Sequence, residues 1–276
     1  MPVTVAVPTE YPLPLPSHGT TQIAASSPNR ARASVYASIV PPSKQERREA
    51  LKDVYLQARD CTRCPQLAAT RTTVVFGSGN ADADLMFVGE APGKNEDEQG
   101  LPFVGQAGKL LDRLLGEIGL QRADVFICNT LKCRPPGNRD PHPEEIENCH
   151  EYLLRQVELI EPRVICTLGN FATKLLRADP TGITRLHGRE EVRVIGTRAV
   201  RLYPIFHPAA ALYTPSNVEV LRTDFARIPD LLAMVPPPQP GQDEERPEPA
   251  VPAEMAELPE LGSVAVAVDD RQMGLF

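Results

Sequence analysis

Apolar positions along the chain form short unbroken runs separated by longer stretches of helical spacing. Leu85 to Gly89 (LMFVG), Val125 to Asn129 (VFICN), Val164 to Leu168 (VICTL) and Leu202 to Phe206 (LYPIF) are the runs. Their length and lack of alternation predict strands buried on both faces, as in a parallel sheet. Gly105 to Ile118 places Leu110, Leu111, Leu114, Leu115 and Ile118 at helical spacing. Pro143 to Ile160 places Ile146, Cys149, Leu153, Val157 and Ile160 on one helical face, with Glu144 and Glu145 in the first turn, where carboxylates favour a helix start. Ser43 to Ala58 predicts a helix leading into Cys61, and Gly169 starts one running to about Leu176. Glu191 to Val200 reads as a hairpin. Strands alternating with helices require right-handed crossovers. The expected fold is therefore α/β: a three-layer α/β/α sandwich with a central, mostly parallel four-stranded sheet.

Composition sets the limits of that domain. The chain has 276 residues and 29 prolines, and the prolines crowd its two ends. Residues 1–44 are rich in Pro, Ser, Thr and Ala, and residues 233–276 in Pro, Ala and Glu. Neither offers enough regular apolar surface to offset the entropy of ordering, so both are expected to be disordered tails around a folded domain at 45–232. The net charge of −7 sits in the second tail. From Asp243 onward nine acids face two bases, which accounts for the whole imbalance. The remainder is neutral and compatible with a basic face. There is no apolar run long enough to span a membrane and no basic-then-apolar leader, so a cytoplasmic protein is expected.

In sheets of this kind, ligands bind beyond the carboxyl ends of the strands. The residues there are Glu90, Asn129, Gly169 and His207. Glu90 belongs to a tight Gly89-Glu90-Ala91-Pro92-Gly93 loop. Phe103 follows in Gly100-Leu101-Pro102-Phe103-Val104-Gly105, as a core plug or as a platform for a nucleobase. An Asn side chain both donates and accepts, which suits a base edge as well as a backbone cap. His207 is fixed by the next residue, Pro208. Lys132, Arg134 and Arg139 bring positive charge suited to phosphates.

Six cysteines without an export signal point to metal or free thiols rather than disulfides. Cys61 and Cys64 form a C-x2-C pair, and Cys133 and Cys149 follow. Cys128 and Cys166 lie within apolar runs and read as core. Four thiolates suit tetrahedral zinc or a four-iron four-sulfur cluster, and spacing alone does not separate them.

Taken in order, these segments resemble the iron–sulfur, thermostable-type (family four) uracil-DNA glycosylases. The resemblance is carried by C-x2-C at Cys61 and Cys64, GEAPG at Gly89 to Gly93, GLPFVGQAG at Gly100 to Gly108, NTLKCRPPGNRDP at Asn129 to Pro141, Cys149, LG at Leu168 and Gly169, and HPAA at His207 to Ala210. It covers roughly Asp53 to Leu232. It implies a [4Fe-4S] cluster on Cys61, Cys64, Cys133 and Cys149. It also implies a uracil pocket: Glu90 and Ala91 line a wall, Phe103 stacks on the base, Asn129 reads its edge and His207 faces O2. Glu90 and His207 would be the catalytic pair, with Glu96 or Asp97 as alternatives to Glu90 for positioning water or offsetting the sugar cation. Ala91 offers no carboxylate where some relatives carry Asp. Leu212 or Tyr213 would wedge into the duplex. No basic loop is inserted after Arg139, so turnover is expected rather than covalent capture.

The chain ends Gln272-Met273-Gly274-Leu275-Phe276, which resembles the peptide by which bacterial repair proteins dock on the replication sliding clamp. An acidic tether would present Gln272, Leu275 and Phe276 at its tip. The expected protein is a monomeric glycosylase acting on uracil-containing DNA. The competing expectations are a non-catalytic iron–sulfur DNA-binding module and a zinc-stabilised adaptor.

Overall fold

The computed structural model describes residues 42–241. The chain enters through helix α1 (Lys44–Arg59), whose N-cap Ser43 and Glu46 form a reciprocal capping box. The short helix α2 (Pro65–Thr70) follows, then strands β1 (Ser78–Gly79) and β2 (Leu85–Gly89). Helices α3 (Lys94–Gln99) and α4 (Gln106–Glu117) lead to β3 (Phe126–Asn129). Helix α5 (Pro143–Ile160), opened by Pro143, leads to β4 (Val164–Leu168). Next come α6 (Asn170–Arg177), α7 (Ile183–Leu186), β5 (Glu191–Ile195) and β6 (Arg198–Ile205). The described chain closes with α8 (Pro208–Tyr213), α9 (Ser216–Ala226) and α10 (Ile228–Ala233).

The sheet order is β1-β3-β2-β4-β6-β5. The four central strands are parallel, as expected, and are the four predicted runs. The count differs: there are six strands, because β1 and β5 add antiparallel edges. The expected hairpin and the fourth parallel strand are also not separate. One strand, β6, is both the return arm of the hairpin and a central strand. Arg201 interrupts the apolar pattern there, yet it is 8% exposed and reaches the carbonyl of Val235. Long side chains bury their stems and carry the charge outward, so this Arg fits inside a strand.

Alternate strand residues serve opposite layers. Met86, Val88 and Ile165 face α1, α5 and α6, whereas Leu85, Phe87 and Cys166 face α4, α9 and α10. Cys128 and Cys166 are fully buried core residues, as their apolar surroundings predict.

The domain extends slightly into both expected tails. Ser43 and Lys44 open α1, and Gln239 is tied to the backbone of Ala199 in both directions. The rest of the two expected tails, including Gln272, Leu275 and Phe276, lies outside the described residues. Among the described residues no helix is long and apolar enough to cross a membrane.

Candidate active site and cysteine cavity

Strands β2 and β3 run in register with Gly89 opposite Asn129, so Glu90 and Asn129 emerge at one level. The alignment continues past the sheet: Thr130 N–H donates to the Gly89 carbonyl at 2.9 Å and Leu131 N–H to the Glu90 carbonyl at 3.0 Å. A cleft of about 390 Å³ opens there. Glu90, Ala91, Phe103, Asn129 and His207 all line it, so the structure gathers the five residues expected at a base pocket. Pro92, Glu96, Ala107, Asn138 and Ala209 complete much of the wall.

Phe103 is held by its loop from both sides. Its φ of 53° is in the left-handed region, a strained setting for a bulky residue. Glu96 accepts the N–H groups of Val104 and Gly105, each at 3.0 Å. Arg122 donates to the carbonyls of Pro102 and Phe103. Gly108 lets the loop cross α4, since a Cβ there would meet the Phe103 carbonyl oxygen at 1.7 Å. Asp97 is 3% exposed and accepts the Thr72 and Thr73 N–H groups, so it braces a neighbouring loop and is not free to handle water.

His207 is the N-cap of α8, and the Ala209 N–H donates to its Nδ1 at 3.1 Å. Nδ1 is therefore an acceptor, which leaves the proton of the neutral ring on Nε2. Burial pushes the His207 pKa down to about 4, opposed by the nearby charge of Glu96. The ring is thus neutral at physiological pH. Glu90 is half-buried, and its carboxyl lies above the usual glutamate range through burial and, secondly, the negative charge of Asp140. Asn129 is 2% exposed, yet among the described residues its side-chain amide has no hydrogen-bond partner. Its unspent donor and acceptor open on the cleft.

The three basic residues separate. Lys132 is 1% exposed and bonded inside the protein, so the expectation that it binds DNA is corrected. Its long stem lies in the core between β3 and α5. Arg139 lines the cleft but is paired with Glu145 at 2.6 Å. Arg134 is partly exposed and bonds Asn138 at 2.7 Å.

Cys61, Cys64, Cys133 and Cys149, distant in sequence, line one small cavity beside this cleft, with Leu131 and Tyr152. N–H groups surround the sulfurs. Arg71 donates to Cys133 Sγ at 3.1 Å, the Lys132 backbone to Cys149 Sγ at 3.3 Å and Asn148 to Cys64 Sγ at 3.7 Å. Arg63 lies against Cys61. Burial pushes Cys149 up to about 11 against the opposing charge of Lys132, and it raises Cys64 and, against Arg71, Cys133. Among the described residues no three His, Cys, Asp or Glu side chains close on a single metal ion. Sequence reading found all four cysteines. It read Glu96 as an alternative carboxylate for water, whereas Glu96 braces the Phe103 loop, and it missed Arg122 and Gly108, whose roles depend on how that loop folds back.

Residues 76–228 match the model of the Uracil DNA glycosylase superfamily. A type-4 uracil-DNA glycosylase of Archaeoglobus fulgidus is 48% identical over 188 residues, 66% of this chain and 94% of that protein. Pyrobaculum aerophilum supplies two further relatives. Its type-4 uracil-DNA glycosylase is 41% identical over 184 residues (64% of this chain and 90% of that protein), and its type-5 enzyme is 30% identical over 207 residues (63% and 86%). The strand-tip cleft, the matched family and the coverage of these relatives agree: the chain belongs to the uracil-DNA glycosylase superfamily.

Proposed function

We propose that this chain is a monofunctional uracil-DNA glycosylase of the type-4 kind, hydrolysing the N-glycosidic bond of deoxyuridine to leave an abasic site for base excision repair. The observation that carries the reading is the unspent amide of buried Asn129, set beside Phe103, Glu90 and neutral His207 in one cleft. A base must leave the duplex to enter it, at an unstacking cost of a few kcal/mol. Leu212 and Tyr213 are exposed one helix from His207 and suit the space that base vacates.

Phe103 stacks on the extruded base. Asn129 accepts from uracil N3–H and donates to O4. Cytosine reverses that pattern and would leave the buried amide unpaired, a penalty of about 1–3 kcal/mol. Bond cleavage leaves positive charge on the sugar and negative charge on the departing uracil. His207 donates Nε2–H to uracil O2, stabilising the anion without giving up its proton, as a preorganised dipole. The uracil anion leaves with the bond electrons; Glu90 as carboxylate faces the sugar cation and takes a proton from the water whose oxygen bonds to C1′, and that proton is returned through solvent to neutralise the departing uracil. Arg134 and Arg139 flank the opening and suit phosphates.

Cys61, Cys64, Cys133 and Cys149 would hold a [4Fe-4S] cluster. The N–H groups around the sulfurs suit thiolates, and hydrogen bonds to sulfur are a common feature of such sites. Zinc at about 2.3 Å from sulfur would need four closely converging thiolates. Through these four residues the α2 start, the Lys132–Cys133 loop and α5 would be tied together around the cluster, whose role would be structural. The six free thiols suit a cytoplasmic protein. The C-terminal Gln272, Leu275 and Phe276 would dock on the sliding clamp.

Single-turnover excision tests the site. Asn129→Ala and His207→Ala should each slow release of uracil by about a hundredfold or more. Unchanged rates would overturn the assignment. Elemental analysis of the brown holoprotein should return iron; zinc would reject the cluster.

A further inference from the structure

Lys132 lies between the cysteine cavity and the cleft, and is 1% exposed. Its Nζ donates to the Asn129 carbonyl at 2.7 Å and to Gln156 Oε1 at 2.6 Å, and also faces the Cys128 thiol. Gln156 is fully buried and is itself fixed by donating to the Phe76 carbonyl at 2.8 Å. The donors of the ammonium are spent inside the protein. None of these acceptors carries a formal charge, and among the described residues no carboxylate pairs with Lys132. A buried ion without an opposite charge costs several kcal/mol. The surroundings of the cysteine cavity supply one. The backbone N–H of Lys132 already donates to Cys149 Sγ, and four thiolates around an iron–sulfur core carry net negative charge.

We infer that Lys132 is a positioning residue: the charge of the cysteine site is its counter-ion, and its ammonium fixes the backbone carbonyl of Asn129, so that base reading depends on the cluster through one side chain. The inference rests on the proposed roles of Asn129 and of the four cysteines. The core contacts of Gln156 and Lys132 set the angle at which Asn129 leaves β3, and a buried amide tolerates little displacement.

The experiment is a double-mutant cycle on the iron-loaded full chain, with Lys132→Met, Gln156→Leu and Asn129→Ala. Lys132→Met should slow single-turnover excision roughly tenfold or more, with affinity for abasic-site DNA unchanged. It should also speed iron release to a chelator. Gln156→Leu leaves the cysteine contacts intact, so it should slow excision without speeding iron release. On the Asn129→Ala background neither substitution should slow excision much further, because coupled residues are not additive. Fully additive losses, or an iron-loaded Lys132→Met variant at the parent rate, would overturn the inference. If Lys132→Met does not fold, Gln156→Leu alone decides by the same non-additivity. A normal rate in Asn129→Ala itself would instead reject the proposed pocket.

Discussion

The rings of Phe103 and His207 lie with centroids 5.5 Å apart and planes inclined by 30°. Sandwiching a base between them would need about 7 Å, two contact distances. The rings therefore form one corner: Phe103 offers a face to the base, and His207 meets its edge. Phe103→Ala should weaken handling of the extruded base by about 1–3 kcal/mol, seen as slower excision and weaker binding together. His207→Ala should slow excision while leaving binding to abasic-site DNA unchanged. Equal effects of both substitutions on binding would contradict the corner arrangement.

Gly89 is where β2 passes beneath that corner. A Cβ there would lie 2.4 Å from Asn129 Oδ1 and 2.7 Å from Phe103 Cζ. Gly89→Ala should displace both and cost about a hundredfold in excision. Gly116, near the end of α4, has nothing within 4 Å of such an atom. Gly116→Ala should raise stability by about 1 kcal/mol with activity unchanged. Thermal melting and excision rates on the two variants check the pair.

The pH profile follows from opposite shifts in Glu90 and His207. The active pair is Glu90 carboxylate and neutral His207. As pH falls, Glu90 takes up its proton first, above the usual glutamate value, because burial and then Asp140 raise it. His207 follows near pH 4. Excision should therefore fall on the acid side in two steps, the first set by Glu90 and the second by His207 near pH 4. Glu90→Gln should remove the upper step while lowering the plateau. An inflection near about 6.5 that persists in Glu90→Gln would show an ordinary imidazole instead.

Deleting Gln272 to Phe276 should abolish binding to the sliding clamp and leave excision from short oligonucleotides unchanged. Clamp affinity measured before and after the deletion checks this; equal affinity would discard the docking peptide.

The central sheet was legible because each parallel strand is covered on both faces, and such strands appear as unbroken apolar runs ending at a functional tip. Glu90, Asn129 and His207 were visible for that reason. The two-residue β1 and six-residue α8 are too short to show a period, and Arg201 disguised the continuity of β6. Lys132 was misread for a different reason. It stands in the basic segment Lys132-Cys133-Arg134, where charge suggests phosphate, but its partners are the carbonyl of Asn129 and Gln156 on α5. That pairing exists only once α5 packs on the sheet. The cysteines were visible as candidates, but spacing did not show that Cys61 and Cys149 share a cavity.

The most direct measurement is release of base from matched oligonucleotides carrying a single uracil, cytosine or thymine. The enzyme should generate abasic sites at uracil with repeated turnover and leave cytosine and thymine intact. Absence of abasic sites at uracil in the iron-loaded protein, or equal release of thymine, would contradict the account.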